Sequence, residues 1–111
     1  MVEEAAPPID LYARREGSGP PIVLLHGVGG NHLVWNLVVP HLSPQFTVIA
    51  PDLRGHGRTA APEGSHFTYA ELAGDVLRLL EQESVSSAHL VGLSGGALLG
   101  LRLALDQPDR A

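Results

Sequence analysis

Three short stretches, Ile22-Val23-Leu24-Leu25, Phe46-Thr47-Val48-Ile49-Ala50 and Ala88-His89-Leu90-Val91, are apolar or nearly so along their whole length and rich in branched side chains. Strands without polar alternation have to be covered on both faces, which calls for helices on each side of one sheet. The intervening segments supply them. Asn31 is placed to cap a helix in which Leu33, Leu37, Val38 and Leu42 recur near helical spacing, with Pro40 marking an irregularity or end. Thr68 followed by Glu71 is a capping-box pair, opening a helix whose Leu72, Ala73, Val76, Leu79 and Leu80 form one stripe that ends about Glu83. From Gly95 to Leu105 the chain is apolar almost all round, the mark of a buried helix. Strands alternating with helices imply right-handed crossovers, so the expected class is α/β with a mostly parallel sheet flanked by helices.

Ahead of these units Ile9, Leu11 and Ala13 alternate with Asp10, Tyr12 and Arg14, a pattern for a strand with one face in water, and Gly17-Ser18-Gly19-Pro20-Pro21 turns the chain. The segment from Pro51 to Gly64, with three glycines and Pro62, reads as a long exposed loop. At 111 residues, with no internal repeat, the chain is expected to form one domain over residues 1–111.

Composition narrows the partners. A net charge of −5 leaves no basic patch for a phosphate backbone or an anionic membrane, so no nucleic acid and no membrane are expected, and a small-molecule substrate is the default. The absence of cysteine removes disulfides, thiolate metal sites and a cysteine nucleophile. No pair of the six histidines has the i, i+4 spacing with a neighbouring glutamate that suggests zinc, and a phosphate-cradling Gly-x-x-x-x-Gly-Lys-Ser/Thr loop is absent, so neither a cofactor nor a metal is expected. The start, Met1 to Pro8, is acidic and proline-bearing, unlike a secretory signal, and no apolar run approaches membrane-spanning length; a cytoplasmic location is the simplest expectation.

Chemistry concentrates at two glycine-rich turns. Gly92-Leu93-Ser94-Gly95-Gly96 follows a buried-type strand and opens a buried-type helix, the placement that lifts a serine hydroxyl above the carboxyl edge of a sheet. Side chains at Gly92 and Gly96 would clash as strand and helix approach. The Gly95 amide falls at the helix N-terminus, where unpaired N–H groups favour negative charge. It is half of an oxyanion hole, and the second donor is expected from the earlier turn His26-Gly27-Val28-Gly29-Gly30, at the Val28 amide. The competing interpretation makes Ser94 a helix cap and the glycines packing elements only.

The first turn admits a different chemistry. Gly27-Val28-Gly29 between strand and helix, with Asp52 ending the next strand, has the outline of a dinucleotide-binding unit. Its third glycine should fall at position 32, where His32 stands, and Pro51 sits awkwardly before Asp52. That alternative also leaves the second glycine turn unexplained.

His26-Gly27-Val28-Gly29, Asp52-Leu53-Arg54-Gly55-His56-Gly57-Arg58-Thr59 and Gly92-Leu93-Ser94-Gly95-Gly96, in that order, resemble the α/β-hydrolase fold family from about Ile9 onward. The resemblance implies the N-terminal half of that fold, with Ser94 matching the nucleophile and the Val28 and Gly95 amides matching the oxyanion hole. It implies that Asp52 and Arg54 hold structure around the site and that His26 is structural. Thr59 departs from the family's commoner serine, and Leu93 and Gly95 from its commoner histidine and methionine. Serine at position 94, where halide-removing relatives carry aspartate, implies ester, lactone or similar acyl chemistry through an acyl-enzyme.

A serine hydroxyl needs a base, usually a histidine held by a carboxylate, and in this fold both follow the nucleophile. Only Asp106 and Asp109 follow Ser94, and no histidine does. His56 is expected in an exposed loop, His89 at the start of a strand, and His32, His41 and His66 in solvated or helix-surface roles. The resemblance therefore implies an incomplete domain, inactive by itself, with the last strand left as an open edge. Such an edge would let the chain act instead as a non-catalytic interaction unit that pairs with a partner or a second copy.

Overall fold

A computed structural model describes residues 7–111; the acidic start lies outside the described residues as far as Ala6. Four strands, β1 (Ala13–Glu16), β2 (Pro21–Leu25), β3 (Thr47–Pro51) and β4 (His89–Gly92), form one sheet in the order β1-β3-β2-β4. β2 runs parallel to both of its neighbours, with Val23 opposite Ile49 and Leu90, and β1 is antiparallel to β3. The sheet is thus mostly parallel, and the polar-faced first strand lies at an edge. The alternation runs as the sequence suggests, with Ile9, Leu11 and Ala13 all packed on one core, but the ladder itself starts only at Ala13.

Side-chain alternation along β2 sorts the core into two layers. Val23 and Leu25 face Leu72, Val76, Leu79 and Leu80 of α2 (Tyr69–Gln82) and Leu99 and Leu103 of α3 (Gly95–Asp106). Ile22 and Leu24 face the opposite way, onto Trp35 and Val39. Covering on both faces explains why this strand carries no polar position.

The segment after Asn31 departs from the expected continuous helix. Asn31 does cap, its Oδ1 accepting the Leu33 N–H at 2.8 Å, but the chain beyond it forms a 3₁₀ turn (His32–Trp35) and the single-turn helix α1 (Val39–Leu42) with Pro40 near its start. Trp35 and Val39, four apart, take the inner face, while Leu33 and Leu37 stay exposed. The large indole outweighs the leucines in choosing which face is buried.

Two further expectations are corrected. The stretch after β3 is exposed only in part: Gly55, Gly57, Arg58 and residues 62–64 are exposed, but Asp52, Leu53, Arg54 and Thr59 are buried within it. Nor is α3 covered all round. Gly96, Leu99 and Leu103 face the sheet, but Leu98, Leu101 and Leu105 are 55%, 60% and 80% exposed. β4 has only β2 as neighbour, and a groove of about 670 Å³ between its free edge and α3 is lined by Leu90, Val91, Ala97, Leu101 and Ala104. Neither element has a covering partner on that side among the described residues, which is why two buried-type sequences stand half in solvent here.

Candidate active site

The parallel ladder delivers the two glycine turns side by side. β2 ends at Leu25 and β4 at Gly92, which are paired in register, and the Leu93 N–H donates to the Leu25 carbonyl oxygen at 3.0 Å. A Cβ on Gly96 would lie 2.1 Å from that oxygen, and one on Gly92 would lie 2.4 Å from the backbone of Gly96 and Ala97. Only glycine lets α3 start this close to the strand ends.

Ser94 is the hinge between β4 and α3. Its backbone is at φ 55° and ψ −118°, a conformation that costs a non-glycine residue on the order of 1–3 kcal/mol. The side chain is exposed and makes no capping bond to the helix it precedes. Gly27 packs directly against it: a Cβ there would sit 3.4 Å from Ser94 Cβ. A Cβ on Gly95 would be 3.8 Å from the Val28 nitrogen. No acceptor among the described residues takes the Val28 or the Gly95 N–H. Two uncommitted backbone donors and an exposed serine side chain therefore lie on neighbouring residues of the two turns. A depression of about 340 Å³ lies over Ser94, Leu93 and the first turn, and an apolar cavity of about 290 Å³, with Phe67, Tyr69 and Leu53 in its wall, lies on the other side of Val28 and Gly95.

The loop after β3 backs this arrangement with two buried polar knots. Asp52 accepts the His32 N–H at 2.6 Å and lies 2.8 Å from His32 Nδ1, while its other oxygen accepts the Arg58 N–H at 2.9 Å. Burial would raise this carboxyl, but the bonds from Arg58 and His32 together hold it below the usual carboxylate range. Gly57, at φ 52°, leaves room for it: a Cβ there would fall 2.3 Å from Asp52 Oδ2. His32, expected on a helix surface, is instead buried here. The dinucleotide-binding alternative loses its acidic residue by the same geometry, because Asp52 is committed to protein donors.

Arg54 is fully buried and forks onto Asp75 of α2, with Nε to Oδ2 at 2.9 Å and Nη2 to Oδ1 at 2.8 Å. Its Nη1 donates to Ser65 at 3.1 Å and lies 3.6 Å from Glu71 Oε2. The Asp75 bonds raise the guanidinium pKa despite its burial. Burial opposes ionisation of Glu71, but N–H bonds from His66 and Phe67, then the charge of Arg54, keep its carboxyl low. Thr68 accepts the Glu71 N–H as a capping box requires, yet the carboxylate closes onto residues 66 and 67 instead of Thr68. Asp75 and Glu71, four apart on the inner face of α2, are the signal that sequence reasoning missed: two carboxylates on a buried face demand a cation.

His26 is buried, its imidazole pushed below its ordinary range by desolvation, partly offset by the bond to the Gly27 carbonyl. His41, His66 and His89 are exposed. No three His, Cys, Asp or Glu side chains converge as a metal site among the described residues, and no helix there is long and apolar enough to cross a membrane.

The fold, the two turns and the committed loop after β3 define a hydrolase scaffold, and comparison with known proteins agrees. The alpha/beta hydrolase fold family model matches residues 20–111, and the chain belongs to that family. It is 38% identical over 97 residues to a fluoroacetate dehalogenase of a Burkholderia species, covering 84% of this chain and 32% of that protein. It is 38% identical over 102 residues to the pimeloyl-acyl-carrier-protein methyl ester esterase of Aeromonas salmonicida, covering 92% and 39%. An epoxide hydrolase structure from Vigna radiata superposes with a TM-score of 0.86 at 34% identity, over 90% of this chain and 32% of that one. The chain spans about a third of the length of these relatives.

Proposed function

We propose that the chain carries the nucleophile and oxyanion hole of a serine hydrolase acting on a small ester- or lactone-like substrate. Ser94 Oγ attacks the carbonyl carbon and the Val28 and Gly95 amides take the charge that develops on its oxygen. The alcohol leaves with a proton, and water releases the acyl group from Ser94. The acid and the histidine base come from outside these 111 residues, so the chain by itself turns nothing over. The observation that carries this reading is Ser94's strained backbone beside two unpaired amides, with its hydroxyl not spent on capping. A cap would have its oxygen on the N–H of the second or third helical residue. The named relatives include a dehalogenase and an esterase, and serine at position 94 favours acyl chemistry over halide removal.

The test is a fluorophosphonate probe applied to this chain and to a longer form carrying the downstream acid and histidine. Ser94 of the longer form is expected to label rapidly and that of the short chain slowly. Full-rate labelling of the short chain, or none of the longer one, would overturn the proposal.

One observation favours a second reading. The free edge of β4 and the exposed Leu98, Leu101 and Leu105 offer a surface on which a second copy could add a strand. Reversible dimerisation seen by light scattering at micromolar concentration, with native helix content, would support an interaction role; a clean monomer would count against it.

A further inference from the structure

The turn bearing the Val28 amide is tied to the loop after β3 by two histidines working in opposite directions. His26, on the turn, accepts the Leu53 N–H of the loop on Nε2 at 3.0 Å, and its Nδ1 lies 2.7 Å from the Gly27 carbonyl oxygen. His56, on the loop, accepts the Gly29 N–H of the turn on Nε2 at 3.0 Å, and its Nδ1 lies 3.0 Å from the Arg54 carbonyl oxygen. The ring centroids are 5.0 Å apart. A carbonyl can only accept, so each Nδ1 carries the proton and each Nε2 keeps its lone pair. One neutral tautomer of each ring satisfies all four bonds.

Val28 sits between the two attachment points. Its side chain is 86% exposed and offers no packing anchor. Gly29, at φ 82°, has nothing within 4 Å of where its Cβ would stand, so no steric wall fixes the far side of the turn. The direction of the Val28 N–H is therefore set by its polar neighbours: the Gly27 carbonyl, held by His26 and by the Gly30 N–H at 3.0 Å, and the Gly29 amide, held by His56.

We infer that His56 is a positioning residue for the oxyanion hole, fixing the Val28 donor by accepting the Gly29 amide. The inference rests on the reading of Val28 as an oxyanion donor. His56 touches no reacting atom; it anchors the Gly29 side of Val28, as His26 and the Gly30 N–H anchor the Gly27 side, and an oxyanion donor works only when its direction is set in advance. The polar groups around His56 have partners of their own. His26 faces it from the turn after β2; Arg54 offers its carbonyl while its guanidinium points into Asp75; Phe67, just before α2, and Tyr69 and Leu72 of α2 line the adjoining cavity. Asp52, in the same loop, is occupied by His32 and Arg58.

The chain, uniformly labelled with ¹⁵N, tests this by NMR, together with His56→Gln and His56→Ala variants. An N–H···N bond transmits a scalar coupling, so a Gly29 N to His56 Nε2 coupling is expected, with the His56 nitrogens showing the Nδ1-protonated tautomer. In His56→Ala the Val28 N–H residual dipolar coupling should change while those of β2 and β3 stay put. His56→Gln, whose amide oxygen can reach the same N–H, should restore it. In a form that labels with fluorophosphonate, His56→Ala should slow Ser94 labelling at least about tenfold, less than the roughly 10²–10³-fold that loss of an oxyanion donor costs, with His56→Gln close to the parent. Absence of the coupling, or an unchanged Val28 dipolar coupling in His56→Ala, overturns the inference. Failure of the Ser94 reading looks different: no form labels, whatever the Val28 amide does.

Discussion

Gly96 of α3 stands against the Leu25 carbonyl oxygen with no room between them: a Cβ would come within 2.1 Å of it. That oxygen already accepts the Leu93 N–H, so it cannot swing away without breaking the link between the two turns.

Gly96→Ala should therefore act on backbone geometry, not on cavity filling. The methyl has to push α3 away from the ends of β2 and β4, and overpacking of this sort costs about 1–3 kcal/mol. A chemical denaturation curve should show the midpoint falling with the slope unchanged. Gly100→Ala is the internal control. Its added Cβ would meet only side-chain atoms, at 3.8 Å from Leu25 and 3.9 Å from Leu90, and alanine is the better helix former, so stability should hold or rise slightly. Equal losses at the two positions would refute the account.

The Arg54–Asp75 fork makes a separate prediction. Both side chains are fully buried, and Asp75 also accepts the Ile9 N–H at 3.0 Å, so this carboxylate joins the loop after β3, α2 and the entry to β1. Asp75→Asn keeps the shape but leaves a buried guanidinium without its main counter-charge, a loss of about 3–5 kcal/mol. Against a typical total of about 5–15 kcal/mol that is severe in a chain this short. Circular dichroism should show a melting transition far below the parent's. A melting point within a few degrees of it would mean that Glu71 alone can hold Arg54.

These two sites mark the limit of what the sequence makes legible. The strands after Gly19 and the helices after Thr68 and Ser94 can be read because period and capping residues are local signals. So can Gly92 and Gly96, since a strand that turns at once into a helix brings their backbones together. Long-range pairing is the part that escapes. His32 reads as a surface histidine because nothing beside it shows that Asp52, twenty residues on, will be buried under it; and His56 in a glycine-rich loop reads as exposed because its acceptor role depends on Gly29, 27 residues back. The covering of α3 escapes for the opposite reason: an apolar sequence records that a face is meant to be covered, without saying by which residues.

Acid should weaken the fold in two stages. His26 is shifted down, mainly by burial, so the unfolded chain takes up a proton before the folded one does; its contribution is whole above the unfolded value of about 6.5 and is lost as pH falls from there through its folded value. Asp52 is also shifted down, and its contribution is whole above the unfolded value of about 3.9 and is lost below it as pH falls through the folded value. Urea midpoints taken from pH 8 to pH 3 should be level at the top, decline below about 6.5 and fall again below about 4. In His26→Gln, the first decline should shrink. A midpoint that rises as pH is lowered from about 7 to about 5.5 has the wrong sign and would exclude a buried neutral His26.

Ser94 carries the clearest opposition between stability and function. Its φ of 55° with ψ of −118° is a conformation that glycine visits freely and serine does not, and nothing in the hydroxyl's contacts offsets the strain. Ser94→Gly should therefore stabilise the chain, by up to about 1 kcal/mol once the extra freedom of glycine in the unfolded state is set against relief of strain. Ser94→Ala keeps the Cβ and hence the strain, so it should match the parent within about 0.5 kcal/mol. Neither variant can be labelled at position 94 by a fluorophosphonate. The pair separates the backbone from the hydroxyl: if Ser94→Ala destabilised the chain by as much as a lost helix cap, about 1 kcal/mol, the hydroxyl would be holding α3 instead of standing free for attack.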